Sequence, residues 1–392
     1  MPPDTPITDP RATPDTQLDV PPPLGAHLGM PSPPRILVVR PDRIGDVILS
    51  TPVFEVIKKN YSKSHLTALV KQNVVPLLKG LPSVDHFLIF EPEGKHAGLK
   101  GFFRLCVEIR RRNFRIAVVL QTHWKIAAAL YIARVRYRVG PWSKIHSYLF
   151  YNRGVRQRRS HVEMHETDYN LQLLRRLGIR AASRNVPTRV SLTDEFRAKA
   201  LEWLEKRGVN PAKPLILVHP GMGGSALNWP ESHYNELIKK LLQENRQVLV
   251  TGGPTENELL DRVEKSLGEL KDKALFYRSE KDTSVEFLAG LFSHASVIVA
   301  PSTGPLHIAV ALGKPVVTFY PPIRVQSAIR WGPYLADESR ASILVPEVYC
   351  GQDFECLGTL CNYFPCMKSL TVKQTLKQVE KQLSAKPAPD PK

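Results

Sequence analysis

Apolar positions along this chain follow two rhythms. Short, nearly continuous apolar runs alternate with longer stretches in which apolar residues return every three or four positions, the patterns of buried strands and amphipathic helices. In the first half the runs predict strands over 35–40, 66–70, 84–90, 115–121 and 137–139. The periodic stretches predict helices over 47–60, 73–80, 99–112, 124–135 and 165–177, the last closed by Gly178, a usual residue just past a helix end. The 115–121 run has almost no polar break, which points to a sheet covered on both faces. Asp46 follows the turn 41–45 and stands where the 47–60 helix begins. Asp is a favoured N-cap. A carboxylate there also lies where open α/β sheets bind ligands, outside the carboxyl end of a strand.

The segment 180–187 reads as a linker, followed by a helix over 193–207 closed by Gly208. The alternation then restarts, with strands over 215–219, 247–251, 274–277, 296–300, 315–320 and 343–345. Helices are predicted over 231–244, 255–267, 284–292 and 305–312, and a last one over 371–383. Strands alternating with helices of this length indicate right-handed βαβ units and parallel sheets. The expected fold is α/β: two Rossmann-like, doubly wound domains, 35–187 and 188–370, facing one another across a cleft, with 371–392 as a final helix and tail. Residues 1–34 hold 11 prolines and no apolar core segment, so they are expected to be a disordered tail and not a targeting peptide.

The 392 residues, 43% hydrophobic and 23% charged, suit a soluble globular protein. The longest apolar runs fall far short of the roughly 18 residues of a membrane span. With no secretory signal in view, the expected location is the cytoplasm. Charge changes the picture more. The formal net charge is +17, and between Gly101 and Ser160 there are 14 Lys or Arg against one acid, Glu108. Such a field attracts phosphates, anionic lipid headgroups or acidic glycans. No zinc-finger spacing or RNP-like aromatic motif accompanies it, so no nucleic-acid partner is expected. Of five cysteines, Cys106 reads as a small buried hydrophobe. Cys350, Cys356, Cys361 and Cys366 crowd one segment but lack a C-x2-C knuckle, so reduced cysteines that pack or bind a metal weakly are expected, and no metal is assigned.

Three loops of the second half follow predicted strands and open helices. In the first, His219 to Pro230, Gly221, Gly223 and Gly224 let backbone amides approach a ligand, Ser225 adds a hydroxyl, and Pro230 starts the helix. In the second, Thr251 to Glu256, Glu256 can accept from ribose hydroxyls. In the third, Ala300 to His307, Ser302, Thr303 and Gly304 present donors at a helix N-terminus, which suits a diphosphate. His307 reads equally as a packed core residue. Neither the G-x-G-x-x-G fingerprint nor a Walker A motif is present, and no Asp-x-Asp pair would bridge a metal to a diphosphate. The protein's own donors would then stabilise a leaving group.

The combined pattern resembles glycosyltransferase family 9, the ADP-heptose:lipopolysaccharide heptosyltransferases. The resemblance covers roughly 36–383 and rests on Arg43-Ile-Gly-Asp-Val47, His219-Pro-Gly with Asn228-Trp-Pro230, Gly252-Gly-Pro-Thr-Glu256, and Ser302-Thr-Gly-Pro-Leu-His307 with Gly313-Lys-Pro315. It implies a GT-B fold, with an acceptor site in the first domain and a nucleotide-sugar site in the second. It implies an inverting, metal-independent reaction without cofactors, in which a sugar, a heptose, leaves a nucleotide diphosphate for a lipopolysaccharide core or related glycolipid. It carries the catalytic base onto Asp46, phosphate-binding loops onto Gly223–Ser225 and Ser302–Gly304, the ribose-binding acid onto Glu256, and a loop histidine onto His307. The partners implied are a nucleotide-sugar donor and an anionic glycolipid acceptor at an anionic membrane surface, with the enzyme peripheral at the inner membrane.

Two positions depart from the family pattern. Leu227 stands where members carry Lys or Arg before the Trp-Pro pair, and Ser302 stands where heptosyltransferases usually carry Asp. Arg43, Arg324 and Arg330 are the candidate cations to replace the first. The alternatives are a GT-B enzyme with another nucleotide sugar, as hexosyltransferase or epimerase, and a sugar-nucleotide or glycan-binding protein without turnover.

Overall fold

The structure is a computed structural model that describes residues 33–224, 226–280 and 284–385. The expected proline-rich tail, except residues 33 and 34, lies outside the described residues, as do Ser225 and the end of the C-terminal tail.

Twelve strands form two six-stranded parallel sheets. The first contains β1 (Arg35–Val39), β2 (His65–Val70), β3 (His86–Ile89), β4 (Ile116–Val119), β5 (Tyr137–Pro141) and β6 (Arg153–Val155), in the order β3-β2-β1-β4-β5-β6. The second contains β7 (Leu215–Val218), β8 (Gln247–Gly252), β9 (Ala274–Arg278), β10 (Val297–Pro301), β11 (Val316–Phe319) and β12 (Ala341–Leu344), in the order β9-β8-β7-β10-β11-β12. Both orders reverse beside their first strand, which opens a ligand crevice at the carboxyl edge there.

Helices cover both faces of each sheet. The first domain carries α1 (Ile44–Ile48), α2 (Thr51–Asn60), α3 (Val75–Leu78), α4 (Gly98–Arg111), α5 (Trp124–Ile132), α6 (Ile145–Phe150) and α7 (Glu166–Gln172). The second carries α8 (Asp194–Glu205), α9 (Glu231–Gln243), α10 (Asn257–Leu267), α11 (Val285–His294), α12 (Gly304–Ala311), α13 (Ala328–Trp331) and α14 (Val372–Leu383). Successive strand residues point to opposite faces, and both faces are buried. In β1, Ile36 and Val38 join the core under α2, whereas Leu37 and Val39 join the core under α4 and α5. In β7, Leu215 and Leu217 face α11 and α12, and Ile216 and Val218 face α9 and α14. This two-sided burial is why the strands read as unbroken apolar runs.

Several sequence expectations shift. The helix predicted over 47–60 is two helices, α1 and α2, broken at Leu49 and Ser50. Pro52 lacks an N–H, so it is accepted in the first turn of a new helix and not inside an old one. Pro230, expected as the first helical residue, is instead the N-cap of α9, which begins at Glu231. Helix α6 and strand β6 were not anticipated; both are too short for a periodic signal. Cys106 is buried in the core beneath α4, as expected.

The domains share apolar packing. Ile48 of α1 and Leu77 of α3 are buried in the core of the second domain, each such side chain stabilising by about 1.5–3 kcal/mol. Helix α1 packs directly on α12. A Cβ on Gly45 would stand 2.7 Å from His307 Cδ2, and one on Gly304 would stand 3.5 Å from the Ile44 Cβ. Glycines at both positions therefore let the two helices approach closely. Among the described residues, no helix is long and apolar enough to cross a membrane.

Candidate functional site

Strand β1 ends in a buried cation. Arg40 is nearly inaccessible, and its guanidinium meets three carboxylates. Its Nε lies 2.8 Å from Asp42 Oδ2, its Nη2 donates to Asp46 Oδ1 at 2.8 Å, and its Nη1 donates to Glu166 Oε1 at 3.2 Å. Asp46 is thus not the N-cap of α1. That position belongs to Arg43, and the Asp46 carboxylate turns back onto Arg40. The correction has a plain cause: a buried guanidinium needs carboxylate partners more than a five-residue helix needs a side-chain cap. Asp46 Oδ2 has no hydrogen-bond partner among the described residues.

Glu166 anchors the other side of this network. It is fully buried in the first turn of α7 and also accepts from Arg159 Nη1 and, at 3.2 Å, from Arg330 Nε. Burial by itself would raise the Glu166 pKa; the three guanidinium groups outweigh it and hold the carboxyl below its ordinary value. Burial pulls Arg159 down to about 10 despite its pairing with Glu166. Burial, with the Asp46 charge beside it, pushes Asp42 up to about 6 against the pull of Arg40. The Gln121 amide lies against the same Asp42 carboxylate.

Arg330 belongs to the second domain, so this ion-pair network crosses the cleft. The same turn of α7 makes two further crossings. His165 Nδ1 accepts from the Thr167 N–H at 3.1 Å, which leaves Nε2 protonated to donate to Gly332 O at 2.9 Å. Tyr334 OH donates to Asp168 Oδ1 at 2.8 Å. Thr167 Oγ1 also donates to Leu49 O at 2.9 Å, tying α7 to the break between α1 and α2. The chain is therefore held on both sides of Asp46 by residues more than a hundred positions away.

The second domain brings its three loops to one edge. Ser302 is buried beside the Tyr320 phenol. Thr303 is the N-cap of α12 with its side chain uninvolved in capping, and Gly304 is the first helical residue. These residues face α1 across the Gly45–Gly304 seam, one residue from Asp46. His307 is buried against Gly45; burial and the neighbouring His165 push it down to about 3, so it stays neutral. Glu256 is the N-cap of α10, and its Oε2 accepts from Gly253 N at 2.7 Å and lies 3.5 Å from His219 Nε2. A Cβ on Gly221 would collide with the Glu256 carboxyl, so the first two loops touch. Gly223 and Gly224 are exposed, Gly224 in a left-handed conformation (φ +71°).

The candidate cations separate. Arg330 is spent on Glu166. Arg324 is half exposed and pairs with Asp353 at 3.0 Å, close to Gln326, whose Oε1 accepts from Leu227 N at 3.2 Å. Arg43 is exposed at the start of α1. Leu227 itself packs with Ile323 and Val348 around a small apolar cavity also lined by Cys350, Cys356, Cys361 and Cys366. These cysteines are free thiols, and among the described residues no His, Cys, Asp or Glu group is arranged to hold a metal ion. A groove of about 1250 Å³ between the domains, lined by Lys58, Arg189 and Gly313 among others, runs along α2 and past the end of α12 and includes none of these site residues.

Arg40, Asp42, Arg159, His165 and Glu166 were missed by sequence reasoning. The available signals were a cation closing an apolar strand and an acid-rich first helical turn, both common on solvated surfaces.

Two doubly wound domains with a carboxylate on one side of the seam and a donor-rich helix start on the other define the GT-B class of sugar-transferring enzymes. Residues 102–361 match glycosyltransferase family 9 (heptosyltransferase). A candidate glycosyltransferase of Haemophilus influenzae is 31% identical over 311 residues, 76% of this chain and 86% of that protein. Lipooligosaccharide heptosyltransferase 2 of Haemophilus ducreyi is 25% identical, over 74% of this chain and 83% of its own length. The solved structure of the Escherichia coli ADP-heptose LPS heptosyltransferase II superposes with a TM-score of 0.70 at 20% identity, covering 89% of this chain and 98% of that one. The chain belongs to glycosyltransferase family 9 and is a glycosyltransferase.

Proposed function

We propose that the enzyme transfers a heptose from a nucleoside diphosphate sugar, with ADP-heptose as the candidate donor, to a lipopolysaccharide core in one inverting, metal-independent displacement. The observation that carries this reading is the Asp46 carboxylate, held by Arg40 on the helix α1 that packs on α12. An acceptor hydroxyl attacks the anomeric carbon from the face opposite the leaving group. Its C–O bond forms as the bond to the nucleoside diphosphate breaks, and the hydroxyl proton passes to Asp46 Oδ2. A positioned base of this kind contributes roughly 10²–10⁴-fold in rate. Backbone amides near Gly223 and Gly304, with the Thr303 hydroxyl, take up the developing charge on the diphosphate. Arg324 is the cation best placed to serve for the missing side chain at Leu227, because its turn is bonded to that loop.

The relatives support the donor and acceptor. One is named a lipooligosaccharide heptosyltransferase and the solved neighbour an ADP-heptose LPS heptosyltransferase. The acceptor domain carries the basic stretch 101–160, which suits a phosphorylated, carboxylated glycolipid at the cytoplasmic face of the inner membrane. Leu227 and Ser302 favour one second reading, transfer of a different sugar by the same mechanism.

The test is transfer from a panel of nucleotide sugars to heptose-deficient lipopolysaccharide, read by product mass. ADP-heptose is expected to give product, and folded Asp46→Ala to lose at least about a hundredfold in kcat. Near-normal turnover by that variant removes Asp46 from the mechanism; product from another donor alone establishes the second reading.

A further inference from the structure

Helices α4, α5 and α6 form one layer on the first sheet and pack on one another in sequence order. Helix α4 has two apolar stripes. Leu105, Cys106 and Ile109 face the core. Leu99, Phe103 and Val107, spaced four apart on the outer face, are exposed. A surface helix needs only the inner stripe to fold. Helix α6 is more one-sided: its buried residue is Ser147, while Ile145, Tyr148 and Leu149 point outward. Leu99, Ile145 and Leu149 are 77%, 83% and 69% exposed. Trp124, half exposed at the start of α5, stacks on Phe102 of α4 with ring centroids 6.4 Å apart and joins the stripes.

Cations are interleaved with these side chains. Lys100 and Arg104 sit on α4, Lys125 lies over the Trp124 ring at 5.9 Å, and Lys144 precedes Ile145. None of the four forms an ion pair among the described residues. A second copy of the chain would bring the same cations against themselves. The interfacial layer of an anionic bilayer matches both parts, taking Trp and aliphatic side chains at the headgroup–acyl boundary and Lys and Arg against phosphates.

The position of this face relates it to the site. Helices α4, α5 and α6 follow β3, β4 and β5 of a parallel sheet, so Leu99, Trp124 and Ile145 in their first turns all lie along the carboxyl edge. Helix α1, with Asp46, leaves β1 at that same edge.

We propose that the rim formed by the outer faces of α4, α5 and α6 is a membrane-docking surface. Its apolar side chains enter the headgroup–acyl boundary of an anionic bilayer, and its cations bind headgroup phosphates. An acceptor anchored in that bilayer then reaches Asp46 along the sheet edge, a consequence that rests on the proposed glycolipid acceptor.

The experiment is flotation of the full chain with vesicles of phosphatidylcholine and with vesicles of equal parts phosphatidylcholine and phosphatidylglycerol. It includes a combined Leu99→Ser, Ile145→Ser, Leu149→Ser variant, and a transfer assay on a deacylated, soluble acceptor. Binding is expected to anionic vesicles, to weaken with salt, and to fall about tenfold or more in the variant. The variant is expected to retain transfer to the soluble acceptor. Absent vesicle binding, or equal binding by the variant, overturns the proposal. So does light scattering that shows a dimer dispersed by the variant with no vesicle binding, or salt-sensitive oligonucleotide binding in place of vesicle binding. Vesicle binding by a chain that transfers no heptose to either acceptor supports the docking surface and removes the proposed donor and acceptor.

Discussion

Replacing Glu166 by Gln tests the network that aims Asp46. The substitution keeps the shape of the side chain and removes its charge. Arg40 would keep Asp42 and Asp46, while Arg159 and Arg330 would lose the carboxylate they pair with. Breaking a buried ion pair by neutralising one partner costs about 3–5 kcal/mol. The glutamine oxygen can still accept one hydrogen bond, so the expected loss is near the lower end, about 3 kcal/mol. The pH dependence follows from the sign of the shift. Glu166 is held below its ordinary pKa of 4.5, so its contribution is present above that value and is lost as pH falls through the folded-state value. Wild type and Glu166→Gln should therefore differ most near neutral pH and converge in acid. Denaturant unfolding of the full chain at several pH values measures this. Transfer rate measured beside it should fall about tenfold or more, since Arg40 loses the partner opposite Asp46. A stability difference below about 1 kcal/mol at neutral pH, the range of exposed ion pairs, refutes the reasoning.

Three further outcomes are expected. Gly45→Ala puts a methyl group 2.7 Å from the buried His307 ring; it should cost about 1–3 kcal/mol by overpacking and depress kcat with unchanged circular dichroism. Asp42→Asn should gain stability relative to wild type as pH rises. A carboxyl raised from 3.8 to about 6 contributes stability below 3.8 and loses it through 6, and melting temperatures across that window read the difference. Thr371→Ala removes the acceptor for Gln374 N from the capping box at the start of α14 and should cost about 0.5–2 kcal/mol, visible in the same unfolding assay without a change in transfer.

Much of the fold was legible because its signals are local. Parallel strands buried on both faces produce unbroken apolar runs, and helices beside them repeat near every third or fourth residue. These two patterns located eleven of the twelve strands to within a few residues. The helix over 47–60 was misread because a break of two residues hardly disturbs its periodicity. The roles carried onto Asp46, Glu256 and Ser302–Gly304 came from the family resemblance, and the structure brings the loops to facing edges. It also spends Arg330 on Glu166 and buries Ser302 beside Tyr320, neither of which spacing conveys.

The amino-acid sequence by itself determined two α/β units, the loops at their strand ends and the family pattern, because strand, helix and turn preferences act over a few neighbouring residues. Only the tertiary structure decided how Asp46 is held. Arg40 meets Glu166 across 126 positions of chain, and Arg330 meets the same carboxylate across 164. Those contacts depend on strand order and on α7 bridging the domains. A charged residue that will be buried in such a network looks, in one dimension, the same as one left in water.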